Sequence, residues 1–248
     1  MAAYPSRSAS QWRHADELTT LSITPTPYPA LFGPALPLLP AYVPAAIINN
    51  QAMPAPQTGH NDDTLDFFNN LEAYCRERTH ESRIDDLNAT ILRISHCSAR
   101  RSHFRRYDLP LLMSTTPRWA KPNFVLFSND GYIKAVGEHK TWKNQANVEA
   151  QWAAEAIAAA QYNNNLRTAR NLPLIDHTIM GLIMVDARPR FYRMLVIVAV
   201  ENAVALGNIP PTATALEFYD PPVSVLGFEI AHNRAVLFRC YEAWRLLL

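Results

Sequence analysis

Apolar positions recur along the chain with two different periods, and the change from one to the other marks its elements. Leu65, Phe68, Leu71 and Cys75 return at helical spacing, with Asp62, Asp63 and Asp66 near the start, where carboxylates favour the positive end of a helix dipole. Ile84, Leu87, Ile91, Leu92 and Ser95 form a second helical face, with Asp85, Asp86 and Arg93 largely outside it. The period then drops to two. Residues 124–127 and 132–136 are aromatic, β-branched or aliphatic, with Asn129-Asp130-Gly131 between them, which predicts a β-hairpin. Asp-Gly suits a two-residue type I′ loop, because both central residues need positive φ. With Asp130 and Gly131 as that loop, Asn129 faces Tyr132, Phe127 faces Lys134, Val125 faces Val136 and Asn123 faces Glu138. Strand side chains alternate, so Asn123, Glu138 and Lys140 share one face at the open end of the hairpin.

After Trp142 the helical period returns. Asn147 or Asn144 can cap this helix, Glu149 lies in its first turn, residues 153–160 are mostly alanine, and Asn163-Asn164-Asn165 end it. Trp152, Ala156 and Ala159 give it a thin face that can approach a sheet closely. Residues 179–185 are apolar throughout, as in a strand covered on both faces. A turn at 186–189 leads into a second strand over 190–200. Pro210-Pro211 and Pro221-Pro222 bound a loop region, residues 223–230 suit an added strand, and Asn233 is placed to cap a final helix. The apolar face of that helix runs through Val236, Leu237, Cys240, Tyr241, Trp244 and Leu248.

Residues 1–60 have another texture, holding ten of the nineteen prolines. Arg7, Arg13, Asp16 and Glu17 interrupt the first twenty positions, so no secretory signal is expected. Pro34, Pro37, Pro40 and Pro44 break the one long apolar run, which argues against a membrane span. The three-residue spacing of Pro34, Pro37 and Pro40 suits a polyproline II ribbon. The expectation is a flexible tail over 1–60, offering at most a docking segment for a proline-reading protein partner, in front of one α/β domain over 61–248.

The polar trio and its surroundings carry the chemistry. Pro122-Asn123, followed after fourteen intervening residues by Glu138-His139-Lys140, resembles the core motif of the PD-(D/E)xK nuclease superfamily, with Asn123 in place of the first acid. The order of elements around it is similar too: strand, turn, a strand ending in Gly-Glu-x-Lys-Thr, an Ala/Gln-rich helix and two further strands. The paired late strands, Gly181 to Asp186 followed by Arg190 to Arg193, are similar to those of fungal members. The resemblance implies a restriction-endonuclease-like central mixed sheet flanked by helices. It implies Mg²⁺ or Mn²⁺ held at Asn123 and Glu138, Lys140 beside the attacking water, and Gln151 reaching the site from the following helix. It also implies an acid from a preceding helix, for which Glu72 and Glu81 are both available. Asn123 with Glu138 offers a divalent ion one negative charge rather than two, so two readings stand: a metal-dependent nuclease, or a degenerate member that binds nucleic acid or protein without cutting. His139, on the opposite strand face, reads as structural.

Composition changes this picture only locally. The chain has 248 residues, is 48% hydrophobic and carries a net charge of +1, so its overall charge argues for no nucleic-acid partner. Arg100, Arg101, Arg105 and Arg106 bracket Phe104, and from Arg93 to Lys121 seven basic residues meet the single Asp108. Such a patch suits a DNA or RNA phosphate backbone with one stacking residue. Cys75, Cys97 and Cys240 are too few and too scattered for a disulfide framework or a zinc site. An intracellular setting follows as an expectation, with cytoplasm and nucleus not distinguished.

Overall fold

Alternate residues of the hairpin strands enter two different hydrophobic clusters, one on each side of a six-stranded sheet. The computed structural model describes residues 8–12, 21–55, 59–97, 107–208, 210 and 213–248. The sheet is built from β1 (Leu21–Pro25), β4 (Phe124–Phe127), β5 (Ile133–Lys140), β6 (His177–Val185), β7 (Arg188–Val196) and β8 (Thr214–Tyr219). Its order is β1-β8-β7-β6-β5-β4. The pairs β1–β8 and β5–β6 are parallel, the others antiparallel. A separate two-stranded ladder joins β2 (Leu109–Met113) and β3 (Thr116–Ala120).

On one face lie α5 (Val148–Ala169), α6 (Val198–Leu206) and the β2–β3 ladder, packed on Val125, Val136, Ile183 and Tyr192. On the other lie α2 (Ala45–Asn49), α3 (Asp62–Arg76), α4 (Glu81–Ile94) and α7 (Ala231–Arg245), packed on Phe124, Leu126, Leu182 and Phe191. The helix α1 (Tyr28–Phe32) lies against β8. The architecture is therefore mixed α/β, with helices on both faces of a central sheet. Helix α5 can lie close because β6 gives way: a Cβ on Gly181 would stand 2.3 Å from the Trp152 ring. The indole then donates to the Val136 carbonyl at 3.1 Å. Among the described residues no helix is long and apolar enough to cross a membrane.

Several expectations need correction. The proline-rich segment is not an appendage over its described part: β1 is an edge strand of the sheet, and Trp12, Leu31, Val43 and Ile47 are buried. The physical reason is that arginines elsewhere satisfy its backbone. Arg234, buried, donates to the carbonyls of Ile47 at 2.8 Å and Asn50 at 2.5 Å. Arg239 of α7 donates to Pro37 at 2.6 Å and Leu36 at 3.2 Å, within the expected polyproline ribbon. Helix α5 runs past the three asparagines, because Asn163 and Asn164 bond backbone groups of other elements instead of ending the helix. The strand expected over 190–200 stops at Val196 and α6 follows. Residues 223–230 form turns and a short 3₁₀ segment, and the added strand is β8. Asn233 lies inside the first turn of α7, where its side chain donates to Ser224 Oγ and the Gly227 carbonyl. None of the three cysteines forms a disulfide among the described residues.

Candidate active site

The hairpin sets the site. Val125 pairs with Val136 and Phe124 with Gly137, so one step further brings Asn123 beside Glu138. Gly137 has no side chain because Phe124 lies across it; a Cβ there would meet the ring at 1.8 Å. Beyond this point the two faces of β5 separate their duties. Glu138 points toward α5, and His139 points toward α4.

Glu138, Lys140, Asn123 and Gln151, the four residues that the motif names, line one cleft of about 620 Å³ together with Glu81, Asp108, Trp119 and Lys121. Glu138 lies at its floor with 2% of its side chain exposed, ion-paired to Lys140, which is 18% exposed. Of the two helix acids, Glu81 at the start of α4 reaches the cleft, while Glu72 forms an exposed pair with Arg76 at 3.3 Å.

Glu155 was not anticipated. It sits one helical turn after Gln151, whose Nε2 donates to its Oε1 at 3.1 Å, and it is buried beside Glu138. Burial, reinforced by the Glu138 charge, pushes the Glu155 carboxyl well above the usual carboxylate range. Burial also raises Glu138, with Lys140 pulling the other way. For Lys140, burial opposes the charge, but Glu138 outweighs it and holds the ammonium above its ordinary value. Glu138 Oε2 and Glu155 Oε2 are buried with no donor from any other described residue, and the two carboxyls hydrogen-bond to each other. One signal for Glu155 was available: a carboxylate in the middle of an alanine run, on a helix with little polar surface, has nowhere to go but inward.

Asn123 is committed elsewhere. Its Oδ1 accepts the His139 backbone N–H at 2.9 Å, and its Nδ2 donates to Asp85 Oδ1 at 3.1 Å. Asp85 Oδ1 also lies 2.6 Å from His139 Nδ1; His139 Nε2 lies 2.6 Å from Asn88 Nδ2; and the Tyr241 hydroxyl donates to Asn88 Oδ1 at 3.0 Å. This chain ties α4, β5 and α7 together behind the cleft, in keeping with a structural His139. Among the described residues no three His, Cys, Asp or Glu side chains gather at metal-ligand spacing. Arg100, Arg101, Arg105 and Arg106 lie outside the described residues.

The arrangement is thus one carboxylate at the cleft floor with a lysine at its edge, and a second carboxyl buried against it on the facing helix. Neither a known family nor any curated protein matches this chain in sequence.

Proposed function

We propose that the chain is a divalent-cation-dependent phosphodiester hydrolase acting on DNA or RNA, of the restriction-endonuclease-like kind. The observation that carries this reading is Glu138, paired to Lys140 at the floor of an open cleft, with the Glu155 carboxyl buried against it. The succession of α4, the β4–β5 hairpin, α5 and β6 parallel to β5 supports it, because it follows the order of the resembling motif.

The donor set fits Mg²⁺ or Mn²⁺. Magnesium commonly takes one or two carboxylates and keeps several waters, so Glu138 and Glu155 are sufficient ligands. Glu155 thereby supplies the second carboxylate that the motif assigns to the position of Asn123. A divalent ion held there would stabilise charge developing on a phosphoryl group and lower the pKa of a bound water. Lys140, paired to Glu138 and reaching toward solvent, is placed to attract the phosphate and orient the attacking water. Gln151 fixes the Glu155 rotamer through its amide. Asn123 holds the strand end by accepting the His139 amide.

A second reading, a degenerate member that binds without cutting, draws on one observation: Lys140 is ion-paired to Glu138, closing part of the floor. The test separates the two. Purified protein is incubated with single- and double-stranded DNA and RNA in Mg²⁺ or Mn²⁺, beside Lys140→Ala, Glu138→Gln and Glu155→Gln. The hydrolase reading expects cutting that needs the cation and falls about 100-fold or more in each variant. Nucleic-acid binding without cutting in any cation would leave the binder. Cutting retained in all three variants would point to a contaminant and remove the assignment.

A further inference from the structure

Three of the five tryptophans, Trp12, Trp152 and Trp244, are buried, while Trp119 is 52% exposed and Trp142 63% exposed. Trp119 lines the same cleft as Glu138 and Lys140. It is half exposed, on a strand exposed at every position before Ala120. Lys121, two positions on, also lines the cleft and pairs with Asp108 at 3.4 Å. Alternation along an extended chain places Trp119 and Lys121 on one side.

The depth of the site then selects among nucleic acids. Glu138, at the floor, is almost wholly buried, and Glu155 lies against it with no exposed surface. A duplex is stiff over about 150 base pairs and keeps its bases stacked, so it cannot fold into a cleft of about 620 Å³. A single strand can enter and turn a base outward onto an aromatic face. The rim also carries Glu81 and Asp108, which disfavours tracking a phosphate backbone by charge alone.

We propose that the cleft takes a single nucleic-acid strand, with an unstacked base lying on the Trp119 indole and the adjoining phosphate directed to the floor. This rests on the hydrolase reading, and Trp119 acts as a substrate-positioning residue.

The test is fluorescence titration of the full chain, in Ca²⁺ and in Mg²⁺, with short oligothymidylate, oligouridylate and a DNA duplex of equal length. Single strands quench the tryptophan signal and bind more tightly than the duplex. Trp119→Ala lowers single-strand affinity about 5- to 150-fold, the range of one lost stacking contact, and Trp119→Phe restores most of it. The two oligomers distinguish DNA from RNA. Unfolding midpoints of both variants equal to that of the unaltered chain exclude a folding effect, as an exposed position predicts. Unchanged affinity in Trp119→Ala, or tighter binding of duplex, overturns the proposal while cation-dependent cutting, if seen, stands. Absence of all nucleic-acid binding and cutting removes the hydrolase reading and this proposal with it.

Discussion

The side-chain oxygen of Asn123 accepts the backbone N–H of His139 at 2.9 Å, while its amide nitrogen faces Asp85 at 3.1 Å. An asparagine is thus the residue that this position requires, since it must accept on one side and donate on the other. Restoring the acid of the resembling motif by Asn123→Asp sets a carboxylate against Asp85. Like charges held this close disfavour ionisation of both, and the substitution also removes a half-buried donor. The expected result is a loss of about 1–3 kcal/mol in unfolding free energy at neutral pH, with no gain in Mg²⁺ or Mn²⁺ affinity by calorimetry. Tighter cation binding in this variant would return Asn123 to the ligand set.

The N-terminal segment should be indispensable to stability. Its carbonyls are held by Arg193, Arg234 and Arg239, and burial pulls the Arg234 guanidinium down to about 10, with no carboxylate bonded to it among the described residues. Arg234→Met leaves the carbonyls of Ile47, Asn50 and Phe228 without their donor. A loss of more than about 3 kcal/mol is expected, seen as a large fall in the urea midpoint. Removing residues 1–55 should do at least as much damage. A truncated chain with an unaltered midpoint would contradict the packing of β1 and α2.

The hairpin was readable in sequence, though not for the reason first supplied. The loop is one residue longer than a type I′ turn: Gly131 N bonds Ser128 O at 3.0 Å, Ser128 N bonds Tyr132 O at 2.7 Å, and only Gly131 takes positive φ, at 81°. Phe127 therefore faces Ile133, not Lys134. A bulge then passes over Lys134, and the two offsets cancel, so that Val125 meets Val136 as the alternation required. The burial of residues 21–55 was unreadable because proline density describes the local chain, whereas the partners are arginines more than a hundred residues away. Glu155 escaped notice because its neighbour Gln151 satisfied the motif, and spacing alone cannot say which of two polar residues a turn apart goes deepest.

Asn163 offers a direct test of why α5 does not end where its asparagines begin. Its Oδ1 accepts from Ile133 N at 2.7 Å and its Nδ2 donates to Ile133 O at 2.9 Å, standing in for a strand neighbour at the start of β5. Asn163→Ala improves local helix propensity by less than about 0.7 kcal/mol and leaves two buried backbone groups unpaired, each worth about 1–3 kcal/mol. The variant should lose stability, and hydrogen exchange should quicken at Ile133 first. A more stable variant would mean that helix propensity governs this position.

Glu201 and His177 meet at Asn164 and should give stability opposite pH dependences. Asn164 Nδ2 donates to Glu201 Oε2 at 2.6 Å, and Asn164 Oδ1 lies 3.2 Å from His177 Nε2. Burial raises the Glu201 carboxyl above its ordinary 4.5, although the Asn164 bond pulls it back. Burial, then the charges of Arg167 and Lys134, lower the His177 imidazole below its ordinary 6.5. A carboxyl raised by folding contributes stability that is full below its unfolded value and is lost as pH rises through the folded one. An imidazole lowered by folding contributes above its unfolded value and loses that contribution as pH falls through the folded one. Glu201→Gln keeps a neutral amide at every pH. The unaltered chain should therefore compare best with this variant near about pH 4, and lose ground as pH rises toward about 8. His177→Gln should reverse the trend, with the unaltered chain losing ground as pH falls. Urea unfolding of all three chains across that range measures both slopes. Curves that stay parallel would show that neither group changes its proton affinity on folding.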